Sequence, residues 1–259
     1  MVNTNLSDDI ALLTMADPLL INLYDRLFWQ FNALRLPRDY GISGPFSASV
    51  NVLSYRFTGT NGVSIKLMNA QAQMSATEFS QQYRANLLNT LTTVDLDAVA
   101  RGIEMLAAAR DANRHIFVCG NGGSASTASH FVTDMVKGAS YNRPTRFRIM
   151  ALTDSMPTIT AYSNDVSYEC IFCEQLKNFA ERGDVFIAIS GSGNSPNVVC
   201  AMEYANSIGC ETIALTGRDG GKLGPMAKLQ IRVAEPHMGR IEDAHLIVCH
   251  MFCYYFMDN

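Results

Sequence analysis

Over the last two-thirds of the chain, short strand-like runs rich in apolar residues alternate with stretches in which apolar residues recur at helical spacing. The runs fall at 116–119, 148–152, 185–189, 212–215 and 230–233, and the helical stretches at about 124–137, 168–182, 196–208, 221–227 and 240–256. Two further helices precede them. Ser75 and Glu78 have the spacing of a capping box and open a helix to about residue 91. Asp95 opens another to about residue 113, with Leu96, Val99, Ile103, Leu106 and Ala107 along one stripe. A strand that is apolar on both faces must be covered on both. The alternation therefore predicts one α/β domain over residues 74–259, a parallel sheet flanked by helices. Ligands of such sheets bind at the carboxyl ends of the strands.

Residues 1–73 follow a different pattern. An amphipathic helix is expected around 18–34, holding Trp29, and after Pro37, Gly41, Gly44 and Pro45 the runs 50–57 and 62–67 suggest a hairpin turning at 58–61. No site chemistry is evident there. One reading makes Met74 the native start and residues 1–73 an upstream extension of unknown role; the other makes them a small accessory segment.

Composition narrows the class. A chain of 259 residues, 48% hydrophobic and 17% charged, has an ordinary globular balance and can bury one sizeable core. A net charge of −4 argues against a nucleic-acid partner held through phosphates. Seven scattered cysteines, with Asp8 and Asp9 where a secretory leader would be positive, suggest reduced thiols and a cytoplasmic protein. No run reaches the ~18 apolar residues of a membrane span, so no membrane partner is expected.

Chemistry concentrates where the strands end. The run from His115 to Cys119 breaks into Gly120, Asn121, Gly122 and Gly123, and a helix opens at Ser124. Such a turn aims backbone N–H groups and the positive end of a helix at one point, which suits a phosphate. The run 185–189 ends the same way in Ser190, Gly191, Ser192, Gly193, Asn194 and Ser195, with Pro196 suited to the first helical turn and Ser195 to the N-cap. A third loop runs from Thr216 to Gly221. Glycine and serine also serve simply to start helices, but two loops of one design in one sheet favour a ligand. Neither is a dinucleotide fingerprint or a P-loop, which points to a small phosphorylated ligand.

His130 and Asp134, four apart on one helical face, could hold a metal ion, relay a proton or form a surface pair. The last helix carries Glu242, Asp243, His245 and His250. Asp243 and His250 are nearly aligned, whereas Glu242 and His250 lie about 80° apart round the helix, so spacing alone does not select Glu242. Cys170 and Cys173 lack a second cysteine pair at metal spacing and read as core, and Cys249, Met251, Phe252, Cys253 and Tyr255 read as the buried or subunit-facing side of the last helix. His115, His237 and His245 have no partner that spacing reveals.

Five separated motifs carry a family resemblance: Gly120 to Ser124 with His130, Ser163-Asn164-Asp165, Ile189 to Ser195, Leu215 to Gly221, and Arg240 to His245. From Ser75 to the C-terminus the chain resembles phosphoheptose isomerases of the sugar isomerase (SIS) domain superfamily. The resemblance implies a flavodoxin-like SIS fold, a three-layer αβα sandwich with a five-stranded parallel sheet and two leading helices. It also implies a homotetramer with sites between subunits. The implied reaction interconverts sedoheptulose 7-phosphate and D-glycero-D-manno-heptose 7-phosphate through an enediol, supplying heptose for lipopolysaccharide, capsule or other glycans.

By the same resemblance one zinc ion is held by His130, Asp134, Glu242 and His250, with Asp134 the catalytic base and His250 the acid. Asn121, Gly122, Gly123, Ser124, Asn164, Asp165, Ser190, Gly191, Ser192 and Ser195 contact the sugar phosphate, together with Asp134 and Glu242. Three positions depart from the family pattern: Asp134 replaces glutamate, Glu242 replaces glutamine, and Gly191 replaces threonine. Two imidazoles and two carboxylates still suit zinc, but a base displaced by about 1 Å can cost ~100-fold in rate. Two other readings stay open at this level: a non-catalytic SIS scaffold or regulatory protein, and an isomerase of another sugar phosphate.

Overall fold

The computed structural model describes residues 51–57, 63–69 and 74–259. The chain divides into two compact units, Met1–Gln73 and Met74–Asn259. In the first, β1 (Asn51–Phe57) and β2 (Val63–Asn69) pair antiparallel with Phe57 opposite Val63, giving the expected hairpin strands. The helix expected around 18–34 lies outside the described residues.

The second unit opens with α1 (Ala76–Leu91), whose capping box is complete: the Glu78 N–H donates to Ser75 Oγ and the Ser75 N–H to Glu78 Oε2. Asp95 caps α2 (Leu96–Asp111) by accepting from the N–H groups of Asp97 and Ala98. Five strands follow: β3 (His115–Gly120), β4 (Arg148–Ala151), β5 (Val185–Ser190), β6 (Glu211–Gly217) and β7 (Leu229–Val233). All pair in parallel in the order β4-β3-β5-β6-β7. Counted within this sheet, that is the 2-1-3-4-5 order of flavodoxin-like folds. The crossovers reverse direction between β3 and β5, leaving a crevice beyond their carboxyl ends, and the first two glycine loops leave from those two strands.

Alternate strand residues feed two cores. Ile116, Val118, Ile187, Ile189, Leu215 and Ile231 face α2, α3 (Gly123–Thr133) and α8 (Met238–Asp258). Phe117, Cys119, Phe186, Ala188 and Ala214 face α5 (Ile171–Phe179), α6 (Pro196–Ile208) and α7 (Leu223–Met226). The three-layer expectation holds. Burial of β5 on both faces, every residue of it, explains why its sequence reads as a continuous apolar run.

Two elements differ from expectation. The helix expected over 168–182 begins as a 3-10 turn, Tyr168–Cys170, and ends at Phe179. An additional helix, α4 (Met156–Asp165), precedes it. None of its residues is fully buried; Ile159 and Tyr162, one turn apart, pack against the second core, a stripe too short for periodicity to single out.

Candidate active site

The first glycine loop places Gly122 at a positive φ of 54°, so that α3 starts at Gly123 without a side-chain cap. Two turns on, α3 presents His130. At Asp134 the helix widens into a π turn (Asp134–Gly138), in which the Ala139 N–H donates to the Asp134 carbonyl. Such one-residue expansions recur at functional sites. Helix α8 packs beside α3 and brings His250 opposite.

His130 Nε2 lies 3.2 Å from His250 Nε2 and 3.3 Å from Asp134 Oδ2, and His250 Nε2 lies 3.6 Å from the same carboxylate oxygen. Zinc–ligand bonds of about 2.0–2.1 Å at a tetrahedral angle put donor atoms about 3.3–3.4 Å apart. The spacing and chemistry of the three donors fit such an ion. Three protein donors also leave the open position that catalytic sites keep.

Glu242 does not join this group. It stands eight residues before His250, about 12 Å along the axis of α8, and its carboxylate lies against Gly123, where a Cβ would come within 2.6 Å of Oε2. That is the positive end of α3, a favourable place for a carboxylate. Next to it Asp243 accepts a hydrogen bond of 2.6 Å from Tyr83 Oη on α1. This bond, the largest cause, pushes the Tyr83 phenol up to about 12. His245, one turn further, is fully buried, and neither ring nitrogen has a full hydrogen bond. Burial pushes its pKa down to about 4, with a weak opposing influence from the Thr216 backbone, so it is neutral at pH 7.

The second loop gathers three hydroxyls. Ser190 Oγ lies 3.5 Å from Ser192 Oγ and 3.4 Å from Ser195 Oγ. Ser195 is the N-cap of α6 as expected, but its side chain makes no capping bond, so its hydroxyl stays with the other two. Gly193, at φ 63°, lets the loop turn back, and a Cβ there would collide with the Gly220 carbonyl. The third loop, one of the candidate cradles, instead braces the second. The Leu223 N–H donates to the Gly193 carbonyl and the Lys222 N–H to Asn194 Oδ1.

The remaining predicted residues are spread around the crevice. Ser124 is buried in the first turn of α3, and Gly122 and Gly123 are exposed at its mouth. Asn164 and Asp165 close α4, exposed, and the Asn164 amide donates to its neighbour's carboxylate at 2.7 Å. Asn121 is bonded to Asn197 of α6 and to Tyr168. Those last two were missed in the sequence. A polar residue in an otherwise apolar first helical turn was the available signal for Asn197; nothing marked Tyr168. Of the two cysteines expected in the core, Cys173 is buried and Cys170 only partly so.

A family model of the SIS domain matches residues 78–217. A phosphoheptose isomerase of Azoarcus sp. (strain BH72) is 35% identical over 179 residues, 67% of this chain and 90% of that protein. The chain belongs to the phosphoheptose isomerase family. A probable phosphoheptose isomerase of Thermoplasma volcanium is 43% identical over 138 residues, 53% of this chain and 70% of its relative. Among solved structures, phosphoheptose isomerase GmhA from Neisseria gonorrhoeae superposes with a TM-score of 0.66 at 29% identity, covering 71% of this chain and all of that one. The phosphoheptose isomerase from Francisella tularensis gives 0.68 at 26%, covering 72% and 100%.

Of the three departures from the phosphoheptose isomerase pattern, Gly191 has a structural explanation. A Cβ at this position would lie 2.6 Å from the Met238 sulfur, so the thioether occupies the space a threonine side chain would need.

Proposed function

We infer that this chain is an aldose–ketose isomerase that interconverts sedoheptulose 7-phosphate and D-glycero-D-manno-heptose 7-phosphate, a step that supplies heptose to surface glycans. The observation that carries the reading is the convergence of His130, Asp134 and His250, the first two on the helix that leaves the first glycine loop at the switch point of the sheet. The three hydroxyls of the second loop and the N-terminus of α6 suit the phosphate. Asn121, Gly122, Gly123, Ser124, Asn164, Asp165 and Glu242 suit the sugar.

Isomerisation moves a proton between adjacent carbons, so a base and an acid must face neighbouring atoms of one substrate. The Asp134 carboxylate takes the proton from the carbon beside the carbonyl. The His250 imidazole, whose Nε2 faces Asp134 at 3.6 Å, supplies a proton from its other ring nitrogen to the carbonyl oxygen. Asp134 then returns its proton to the neighbouring carbon, while His250 takes one back from the hydroxyl that becomes the new carbonyl. The Glu242 carboxylate sits where it can accept from a sugar hydroxyl. His130, Asp134 and His250 would hold the metal ion, for which zinc is the best match to two nitrogens and one oxygen, and the ion when bound lends Lewis acidity to the oxygens of the enediol.

Among the described residues no helix is long and apolar enough to cross a membrane, in keeping with a cytoplasmic enzyme acting on a phosphorylated sugar. Exposed apolar side chains on α1, α2 and α8, including Phe79, Leu88, Leu96 and Tyr254, support a homotetramer with sites at subunit boundaries.

The test is incubation of the metal-analysed protein with sedoheptulose 7-phosphate, followed by NMR, beside Asp134→Ala. Turnover by the parent and a loss of at least ~1,000-fold in the variant are expected. A folded, metal-loaded parent that leaves the ketose unchanged would overturn the substrate assignment.

A further inference from the structure

The amides of Asn121 and Asn197 form a closed pair across the crevice between the first and second loops. Asn121 Nδ2 donates to Asn197 Oδ1 at 2.8 Å, and Asn197 Nδ2 donates to Asn121 Oδ1 at 2.9 Å. The orientation of both amides follows from a group that can only donate. The Val198 N–H donates to Asn197 Oδ1 at 3.0 Å, which fixes the oxygen of Asn197 on that side and turns its NH2 toward Asn121. Asn121 must then offer its oxygen to that NH2. Tyr168 Oη, 2.9 Å from the same oxygen, can only be a donor to it.

Both acceptor sites of the Asn121 oxygen are thereby used, and one of its two N–H groups is used as well. One N–H remains, on a side chain that is half-exposed at the loop, whereas Asn197 is buried at 1% exposure. Asn121 therefore has a single donor and no acceptor to present to a ligand.

We propose that Asn197 and Tyr168 are positioning residues that hold Asn121 as a one-proton donor, selecting a ligand oxygen that accepts a hydrogen bond. The proposal rests on the isomerase reading for the identity of the ligand, a sugar phosphate whose carbonyl, ring or phosphate oxygens are such acceptors. Asn197 touches no ligand and acts through Asn121. Tyr168, exposed beyond the pair, keeps its own oxygen lone pairs free to meet a sugar hydroxyl.

Asn197→Asp puts a carboxylate oxygen against the Asn121 oxygen, so the Asn121 amide must turn and lose its fixed donor. The experiment is a double-mutant cycle of Asn121→Ala and Asn197→Asp, with Tyr168→Phe alongside, read both in kcat/KM and in the calorimetric Kd for sedoheptulose 7-phosphate. Asn121→Ala is expected to cost ~30- to 100-fold, Asn197→Asp ~10- to 30-fold, and Tyr168→Phe ~3- to 10-fold. The decisive expectation is that Asn197→Asp adds less than about 2-fold once Asn121 is alanine. Single-variant losses that multiply in the double variant, or an Asn197→Asp protein with parental constants, would overturn the proposal. Circular dichroism melts within a few degrees of the parent separate positioning from unfolding. If the parent binds the sugar phosphate without converting it, the isomerase reading fails while the Kd cycle still judges the positioning claim. A parent that neither binds nor converts it overturns both.

Discussion

At the scale of single residues, the site depends on how close two helices can approach. Gly123 has no side chain, and the Glu242 carboxylate occupies the place its Cβ would take, 2.6–2.7 Å from the position of that missing atom. The backbone there is ordinary helix, so alanine gains helix propensity worth about 0.5–1 kcal/mol over glycine. It also forces the carboxylate aside. Gly123→Ala should therefore melt at or slightly above the parent temperature while losing ~10-fold or more in kcat/KM, measured by calorimetry and by NMR turnover. A variant that loses both together would place the role of Gly123 in folding instead.

The residue scale also marks where sequence reasoning ran out. His130 and Asp134 were legible because four residues bring side chains together on a helix. His250 joined them only by resemblance, since its approach comes from the packing of α8 on α3, which no spacing encodes. Glu242 shows the converse: the family resemblance groups it with His250, whereas about 12 Å of helix separates the two along α8 within one chain.

At the scale of elements, α8 is the part that ties the site to the leading helices. Its N-terminal approach is held by Glu235, which takes hydrogen bonds from Arg240 Nη2 at 2.7 Å, the His237 N–H at 2.8 Å and Thr90 Oγ1 of α1 at 2.7 Å. These contacts, Arg240 first, hold the Glu235 carboxyl down at about 2. A carboxylate with a depressed native pKa stabilises the fold above its unfolded value of about 4.5 and loses that contribution as pH falls toward 2. Glu235→Gln should thus be less stable than the parent at pH 7, and the gap should narrow at pH 3.5, as read from urea midpoints at the two pH values. A constant gap would mean that shape rather than charge holds this corner.

Elements were the most legible level. Apolar runs marked all five strands of the sheet: β3, β5 and β6 are buried on both faces and read as nearly continuous runs, whereas the edge strands β4 and β7 alternate and carry Arg148, Gln230 and Arg232 among their apolar residues. Periodicity missed α4 because only Ile159 and Tyr162 turn toward the core, too few to mark a helix. The third glycine loop shares the composition of the other two, yet its Gly220 and Gly221 N–H groups bond within the loop, to the Gly217 carbonyl and Asp219 Oδ1, and the Lys222 and Leu223 N–H groups just after it go to Asn194 and Gly193. Composition does not reveal which way a loop faces.

At the scale of the whole molecule, the proposed tetramer gives the exposed apolar side chains a partner. Phe79 and Leu88 on α1 and Tyr254 and Tyr255 on α8 are each about half or more exposed in the single chain. Burying the half of each side chain that is still exposed is worth about 1 kcal/mol apiece, roughly half the value for a fully exposed one. Sedimentation equilibrium should give four times the chain mass, and Leu88→Glu with Tyr254→Glu should shift it toward smaller species. A parent that sediments as a monomer would remove the subunit-boundary site from the functional reading.

The last paired rung of β3 and β5 joins Gly120 to Ile189. Beyond it the two chains part, and no further main-chain ladder crosses the gap. The Asn121–Asn197 amide pair stands just past that point and serves as one more rung, written in side chains rather than backbone. It acts as a spacer bar. Where the backbone ladder ends, the link between the two loops passes to two side-chain amides, so it can be lost by a single substitution that leaves the paired strands untouched.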